Sequence, residues 1–283
     1  MYPLIFKFWF IEARSYYLLW AFALLLFVFW TRHRAVKNYF MDYDKVSSVI
    51  LWVYCAAIIG AIIGNALEKL PFVFSGSAGA GELLGGGLSS GPGMLCGGLA
   101  GIYRLRRLGM PLFSFADSAA VPAAAMIAIG RNGCFLEGCC LGTGVFAPVR
   151  PWWGAHFPAD PQGFYRYPSQ LSEAAAALLI MIILLCIEKF FRNNTRHRKH
   201  GAILFPVFIL LFGLYRFIFD SLRELLPGHA FFSGHILSVA AIALGCSWLF
   251  HTYKRPLKAP SWIPNKNKIK ELVTDYIAAK AAM

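Results

Sequence analysis

Residues 129–142 read IGRNGCFLEGCCLG, which sets Arg131, Glu137 and the cysteines Cys134, Cys139 and Cys140 at the end of a long apolar run. Residues 213–224 read GLYRFIFDSLRE. On a helix their Arg216, Asp220 and Arg223 fall at i, i+4 and i+7 and share one face. An ionisable group at membrane depth is costly and faces the protein interior or a wet cavity. More arginines than acids in an apolar cavity suit a phosphate, because the planar guanidinium fork binds it bidentately. The phosphate nearest to such a site is a phospholipid head group. Asp220 has a plainer reading too, as the carboxylate that holds Arg216 and Arg223 in an ion pair.

The thiols raise a separate question. Cys134, Cys139 and Cys140 are spaced C-x4-C-C, and Cys96 stands in MLCGGLAG. Zinc sites usually add histidines to such pairs, so no metal or other cofactor is expected. A disulfide suits an oxidising compartment. A vicinal bond would be strained, so Cys96 or Cys134 would join one of the later pair. Packing of small polarizable side chains in a glycine-rich turn is the plainest account. Cys55, Cys186 and Cys246 lie within apolar runs and read as small hydrophobes.

The elements that must position these residues are membrane spans. The 283 residues are 58% hydrophobic and only 14% charged, where soluble domains carry about 25% charged residues. Mean hydropathy is +0.56. Seven apolar segments of roughly spanning length occur at 16–31, 47–66, 93–104, 114–131, 170–187, 202–219 and 232–251. The third is short and glycine-rich, and Pro122 falls inside the fourth. No small-residue cleavage site follows the first. These segments predict an all-α polytopic membrane protein of about seven transmembrane helices. It forms one domain over 1–283, with a bundle over 14–252 and a basic tail over 253–283.

The net charge of +13 is explained by topology and not by nucleic acid. Most Lys and Arg lie in 32–45, 104–108, 189–199 and the tail after 251. The positive-inside rule then puts the N-terminus outside and the C-terminus in the cytoplasm. Segments three and four join through RLRRLG. As antiparallel neighbours they are expected to bring Cys96 within disulfide reach of the later thiols.

Four stretches resemble the bacterial prolipoprotein diacylglyceryl transferase family. GRNGCFLEGCCLG is similar to its G-R-x-G-N-F-x-N-G-x-x-x-G. RYPSQLSEA at 166–174 resembles R-x-P-S-Q-L-Y-E, GLYRFIFDSLRE resembles G-x-x-R-x-x-x-E-x-x-R, and SGHILSV at 233–239 resembles G-Q-x-L-S. With RSYYLLW and GAIIG, the likeness covers most of residues 14–250. It implies a seven-span inner-membrane enzyme that moves the diacylglyceryl group of phosphatidylglycerol onto the lipobox cysteine of a prolipoprotein, forming a thioether and releasing glycerol phosphate. Its partners would be phosphatidylglycerol, the lipobox segment and membrane lipid. Arg131 and Arg216 would hold the phosphate and Asp220, in place of a glutamate, would orient them. Tyr16, or its neighbour Tyr17, would meet the lipid. Gly133, Gly138 and Gly142 would let the backbone pass close to it. Cys134, Ser169, Gln170, Arg223 and His235 occupy further motif positions and would line the site.

The chain departs from the family at several places. Cys96 stands where the family has the histidine of H-G-G, Cys134 and Glu137 replace two asparagines, Ile62 an arginine, and Phe212 a tyrosine. Thiol alkylation needs a thiolate, and histidine is the usual proton acceptor. Three solutions remain open: the arginines lower the thiol's pKa, Glu137 or His235 takes the proton, or the acceptor differs. A phospholipid-binding paralogue without activity, and a thiol-redox or metal protein, are the alternative readings.

Overall fold

The computed structural model describes residues 4–8, 11–75, 89–142, 144–145, 151–158, 160, 163–193, 203–221 and 231–254. The glycine-rich stretch 76–88, Arg223 and the basic tail from 255 lie outside the described residues. A hairpin of β1 (Leu4–Phe8) and β2 (Ile11–Arg14) leads into α1 (Ser15–Tyr39). Six more helices follow: α2 (Tyr43–Phe74), α3 (Ser90–Arg107), α4 (Leu112–Glu137), α5 (Ser169–Asn193), α6 (Leu204–Ser221) and α7 (Phe231–Lys254). Between α4 and α5 lie β3 (Gly144–Val145), β4 (Ala155–His156) and β5 (Tyr165–Arg166), antiparallel in the order β3-β5-β4. All seven expected helices are present. Five are long and apolar enough to cross a membrane. The short α3 is not among them, and the apolar part of α7, His235–His251, is shorter.

Water is absent from the bilayer core, so helices cannot be driven together by hiding apolar surface from it. Large apolar side chains therefore face outward, among them Phe22, Leu25 and Phe29 on α1, Ile58, Ile62 and Ile63 on α2, and Leu178, Leu179 and Ile182 on α5. Small residues lie between the helices instead. Half of α4's apolar window is buried, against 17–28% for the other four spans. Its buried residues include Ser118, Ala120, Ala124, Ala125, Ala128, Gly130 and Gly133. A side chain at Gly130 would stand 2.7 Å from the Trp20 ring, so glycine there lets α1 and α4 meet. On the other flank, Val121 and Ala124 pack with Ile180 and Leu184 of α5 and with Leu204 and Tyr215 of α6.

The helix pairing departs from the expected hairpin of α3 and α4. α3 packs along α2 and touches α4 sparingly. The reason is a seam of small residues. Gly93, Gly97 and Gly101 recur every four residues on α3 and lie against Ala61, Ala57 and Val53 of α2. Such a seam lets two backbones approach closely in lipid. Cys96 is carried with it: a Cβ on Gly60 of α2 would stand 2.6 Å from Cys96 Cβ and 2.7 Å from its Sγ.

Buried polar contacts close the end of the bundle where α1 and α5 finish. Arg34, which the loop charges alone assign to a topology signal, is buried and binds both oxygens of Glu188 at 2.8 and 3.0 Å. Its Nε donates to the Ser118 carbonyl at 3.1 Å. Asp117 of α4 accepts the backbone N–H groups of Ile203 and Phe205 at 3.0 and 2.8 Å. It thereby satisfies donors at the start of α6 that have no partner within the helix.

The glycine seam gives a direct test. Gly60→Val should overpack the α2–α3 interface at a cost of about 1–3 kcal/mol and lower the apparent melting temperature of the detergent-solubilised chain. Gly98→Val makes the same change where an added Cβ meets nothing within 4 Å, and should melt near the parent. Equal effects at both positions would show that the seam does not hold the pair.

Candidate active site

The site is assembled where α1, α5 and α7 begin and α4 and α6 end. The last turns of α4 carry Arg131 and Cys134. Gly138 then ends the helix in the left-handed region (φ 77), its N–H donating to the carbonyls of Cys134 and Phe135 at 3.1 and 3.3 Å. Only glycine enters that region without steric cost. The Cys139 N–H donates to the Cys134 carbonyl at 3.2 Å, and Cys140 is itself left-handed (φ 59).

This loop is clamped by the residues that open α5. Gln170 Nε2 donates to the Cys139 carbonyl at 2.6 Å and Ser169 Oγ to the Cys140 carbonyl at 3.1 Å. Both side chains are buried. The buried Arg166 grips both oxygens of Asp160 at 2.6 and 3.1 Å and donates to the Gly142 carbonyl at 3.3 Å. Gly142 abuts the Tyr167 carbonyl with no room for a side chain. A Cβ added at Gly133 would lie 3.4–3.5 Å from the Tyr16 backbone. Close packing within the protein thus accounts for Gly142, whereas a Cβ at Gly133 would make only ordinary contacts.

One turn along α5, on the face that carries Ser169 and Gln170, lies Glu173. Its side chain is 0% exposed. One oxygen, Oε2, accepts from Arg131 Nε at 2.8 Å and from the Tyr215 hydroxyl at 2.7 Å. Arg216 Nη2 pairs with Asp220 at 2.8 Å one turn apart on α6. The Tyr215 hydroxyl lies within electrostatic reach of both arginines. Tyr215 and Arg131 meet on Glu173, and the Arg131 and Arg216 side chains are 15% and 25% exposed. At the edge, His235 Nε2 lies 3.0 Å from Ser221 Oγ, beside Asp220.

Charge and thiols each bring a correction. The expected excess of arginine over acid is absent among the described residues, because Glu173 and Asp220 give each arginine its own carboxylate. A guanidinium carries five N–H donors, more than one carboxylate takes up. The sulfurs of Cys134, Cys139 and Cys140 lie within 4.8 Å of one another, and Tyr16 is within electrostatic reach of all three. Tyr17, its neighbour, is exposed. Hydrogen bonding to Cys134 and Cys140, then burial, pushes the Cys139 thiol well above its usual range. Cys96 is not in the group, and none of these cysteines is bonded to another. Cys96 lines an apolar groove with Ile59, Ile63, Leu67 and Glu68, and no arginine-site residue borders that groove.

Glu137 accepts from Arg14 Nη1 at 2.8 Å, which ties the end of α4 to the entry of α1. Glu173 is the residue that the sequence reading passed over. Its signal was present: an acid in an apolar helix, three and four residues after Gln170 and Ser169.

A family model described as prolipoprotein diacylglyceryl transferase matches residues 3–251. Over 253 residues the chain is 30% identical to phosphatidylglycerol–prolipoprotein diacylglyceryl transferase of Geobacter sulfurreducens, covering 86% of this chain and 92% of that one. The protein of the same name from Bradyrhizobium diazoefficiens is 33% identical over 181 residues, 64% of this chain and 62% of that one. The one from Wolbachia pipientis is 28% identical over 231 residues, 78% and 84%.

Glu173→Ala leaves Arg131 without its buried counter-ion and should destabilise the chain by about 3–5 kcal/mol. Tyr215→Phe removes one hydrogen bond to a charged group, worth about 1.5–3 kcal/mol. Because both act through Oε2, Tyr215→Phe should cost less in the Glu173→Ala background. Strictly additive losses in unfolding would show that Arg131, Glu173 and Tyr215 do not act together.

Proposed function

The chain belongs to the prolipoprotein diacylglyceryl transferase family and is a multi-pass membrane transferase of lipoprotein maturation; we propose that the Arg131–Glu173–Tyr215–Arg216–Asp220 constellation is its catalytic centre. Phosphatidylglycerol is the donor and the lipobox cysteine of a prolipoprotein is the acceptor. The supporting observation is that Arg131 and Arg216 each pair with a carboxylate, and that Tyr215, next to Arg216 on α6, shares the Glu173 oxygen with Arg131. A carboxylate orients each guanidinium, whose five N–H donors exceed what one carboxylate takes up and suit a phosphate.

In this reading the acceptor thiolate attacks the glyceryl carbon of the lipid. A C–S bond forms as the C–O bond to phosphate breaks, and glycerol phosphate leaves with the electron pair. Charge grows on the leaving phosphate, and preorganised donors aimed at it lower the barrier. Tyr16, Ser169, Gln170 and the glycines Gly133, Gly138 and Gly142 shape the wall beside it. Arg223 would add a further cation. Cys96, in the place of the family's histidine, lies in another groove; of the groups expected to take the thiol's proton, Glu137 is paired with Arg14. The other, His235, lies 3.0 Å from the hydroxyl of Ser221, the residue after Asp220.

Arg131→Ala and Arg216→Ala should each abolish transfer of labelled diacylglyceryl from phosphatidylglycerol vesicles to a lipobox peptide. One charge-assisted contact is worth about 1.5–3 kcal/mol, roughly a tenfold to hundredfold loss of lipid affinity, and more in the transition state. Full transfer by both variants would put the site elsewhere. Lipid binding without transfer in the parent would favour the inactive phospholipid-binding reading.

We place the site at the outer leaflet of the inner membrane, with the N-terminus outside and the C-terminus cytoplasmic. A reporter after Lys199 should be cytoplasmic, and one inserted at Gly86 should be periplasmic. The reverse at either position would overturn that orientation.

A further inference from the structure

The proposed lipid site does not use the three thiols of the loop after α4, yet they are held together by more than packing. Their sulfurs all lie within 4.8 Å of one another. Successive side chains of an extended strand point to opposite sides. Here Cys140 takes the left-handed conformation (φ 59) that non-glycine residues seldom adopt, and the thiols of Cys139 and Cys140 both converge on Cys134. The buried Gln170 and Ser169 hold the two carbonyls of this turn, and the Cys139 N–H holds the third residue through the Cys134 carbonyl. A strained backbone that its surroundings fix in place marks a functional site. The group also runs from buried Cys134 to exposed Cys140, so it is reachable from outside.

We propose that Cys134, Cys139 and Cys140 are the three protein ligands of one thiophilic d10 cation, Zn2+ or Cu+. Thiolates select these soft ions over Mg2+ or Ca2+, which take oxygen ligands. Three protein ligands around zinc leave a fourth position open, as in catalytic sites. Arg131 lies within electrostatic reach of Cys134 and Cys140 and offsets the negative charge of a three-thiolate complex. The open position has a use in the transfer reaction, and that part rests on the function proposed above. A thiol bound there is held as the thiolate, its proton passing to water. Its sulfur then forms the thioether C–S bond as glycerol phosphate departs. A base at the Cys96 position is not required.

The test is metal analysis of the full chain, purified in detergent under reducing conditions and dialysed against Zn2+ or, anaerobically, Cu+. One tightly bound cation per chain is expected. Cys139→Ser and Cys140→Ser should weaken it at least about tenfold, while Cys186→Ser on α5, outside the group, should leave it in place. Cys140 is exposed, so its substitution threatens folding least, and circular dichroism checks each variant. Absence of a bound cation, undiminished binding in Cys140→Ser, or a disulfide within the trio by intact mass would overturn the site. Chelation separates the role from the reaction. Loss of thioether formation with lipid binding retained supports coordination of the acceptor thiol. Transfer that persists after the cation is stripped overturns that role and leaves the transferase reading standing. A metal-loaded chain that binds lipid but never transfers sinks the transferase reading and leaves the cation site.

Discussion

A single oxygen of Glu173 accepts from Arg131 on α4 and Tyr215 on α6. A carboxylate with no exposure inside a lipid-embedded bundle is tolerable only when charged and neutral donors satisfy it. Those donors sit on two neighbouring helices, so the bond fixes how α4, α5 and α6 are rotated against one another. Rotation of α5 in turn sets Ser169 and Gln170 over the loop that follows α4. The arginine site and the thiol turn therefore share one support.

Lipid as solvent accounts for the remaining architecture. Apolar residues gain nothing by leaving hydrocarbon for one another, so specificity rests on close backbone approach and on polar contacts. The alanines and glycines of α4 and the glycine seam of α3 provide the first. Arg34 with Glu188, and Asp117 with the start of α6, provide the second at one end of the bundle. The Glu173 cluster provides it at the other. The candidate site is thereby confined to one end, built on a bundle held at both.

The same seam explains the displacement of Cys96. Pairing α3 with α2 draws the residue that replaces the family's histidine into an apolar groove with Gly60 and Glu68. Arg131 and Arg216 are held on carboxylates, and Ser169 and Gln170 clamp the turn after α4. The three thiols of that turn lie apart from Cys96.

Much of this was legible in the residue order. Apolar runs separated by basic clusters identify seven helices, because burial in hydrocarbon demands long apolar spans whatever their neighbours. The spacing of Arg216 and Asp220 states their pairing, since i and i+4 share a helix face wherever the helix lies. Partnership across helices was not legible. Arg34 read as a loop charge until Glu188 was found opposite it. Glu173 read as one letter of a motif until Arg131, 42 positions earlier, and Tyr215, 42 positions later, met on it. Cys96 was assigned to the wrong neighbour because a short connection suggests adjacency, whereas in lipid the fit of small residues between two backbones decides it.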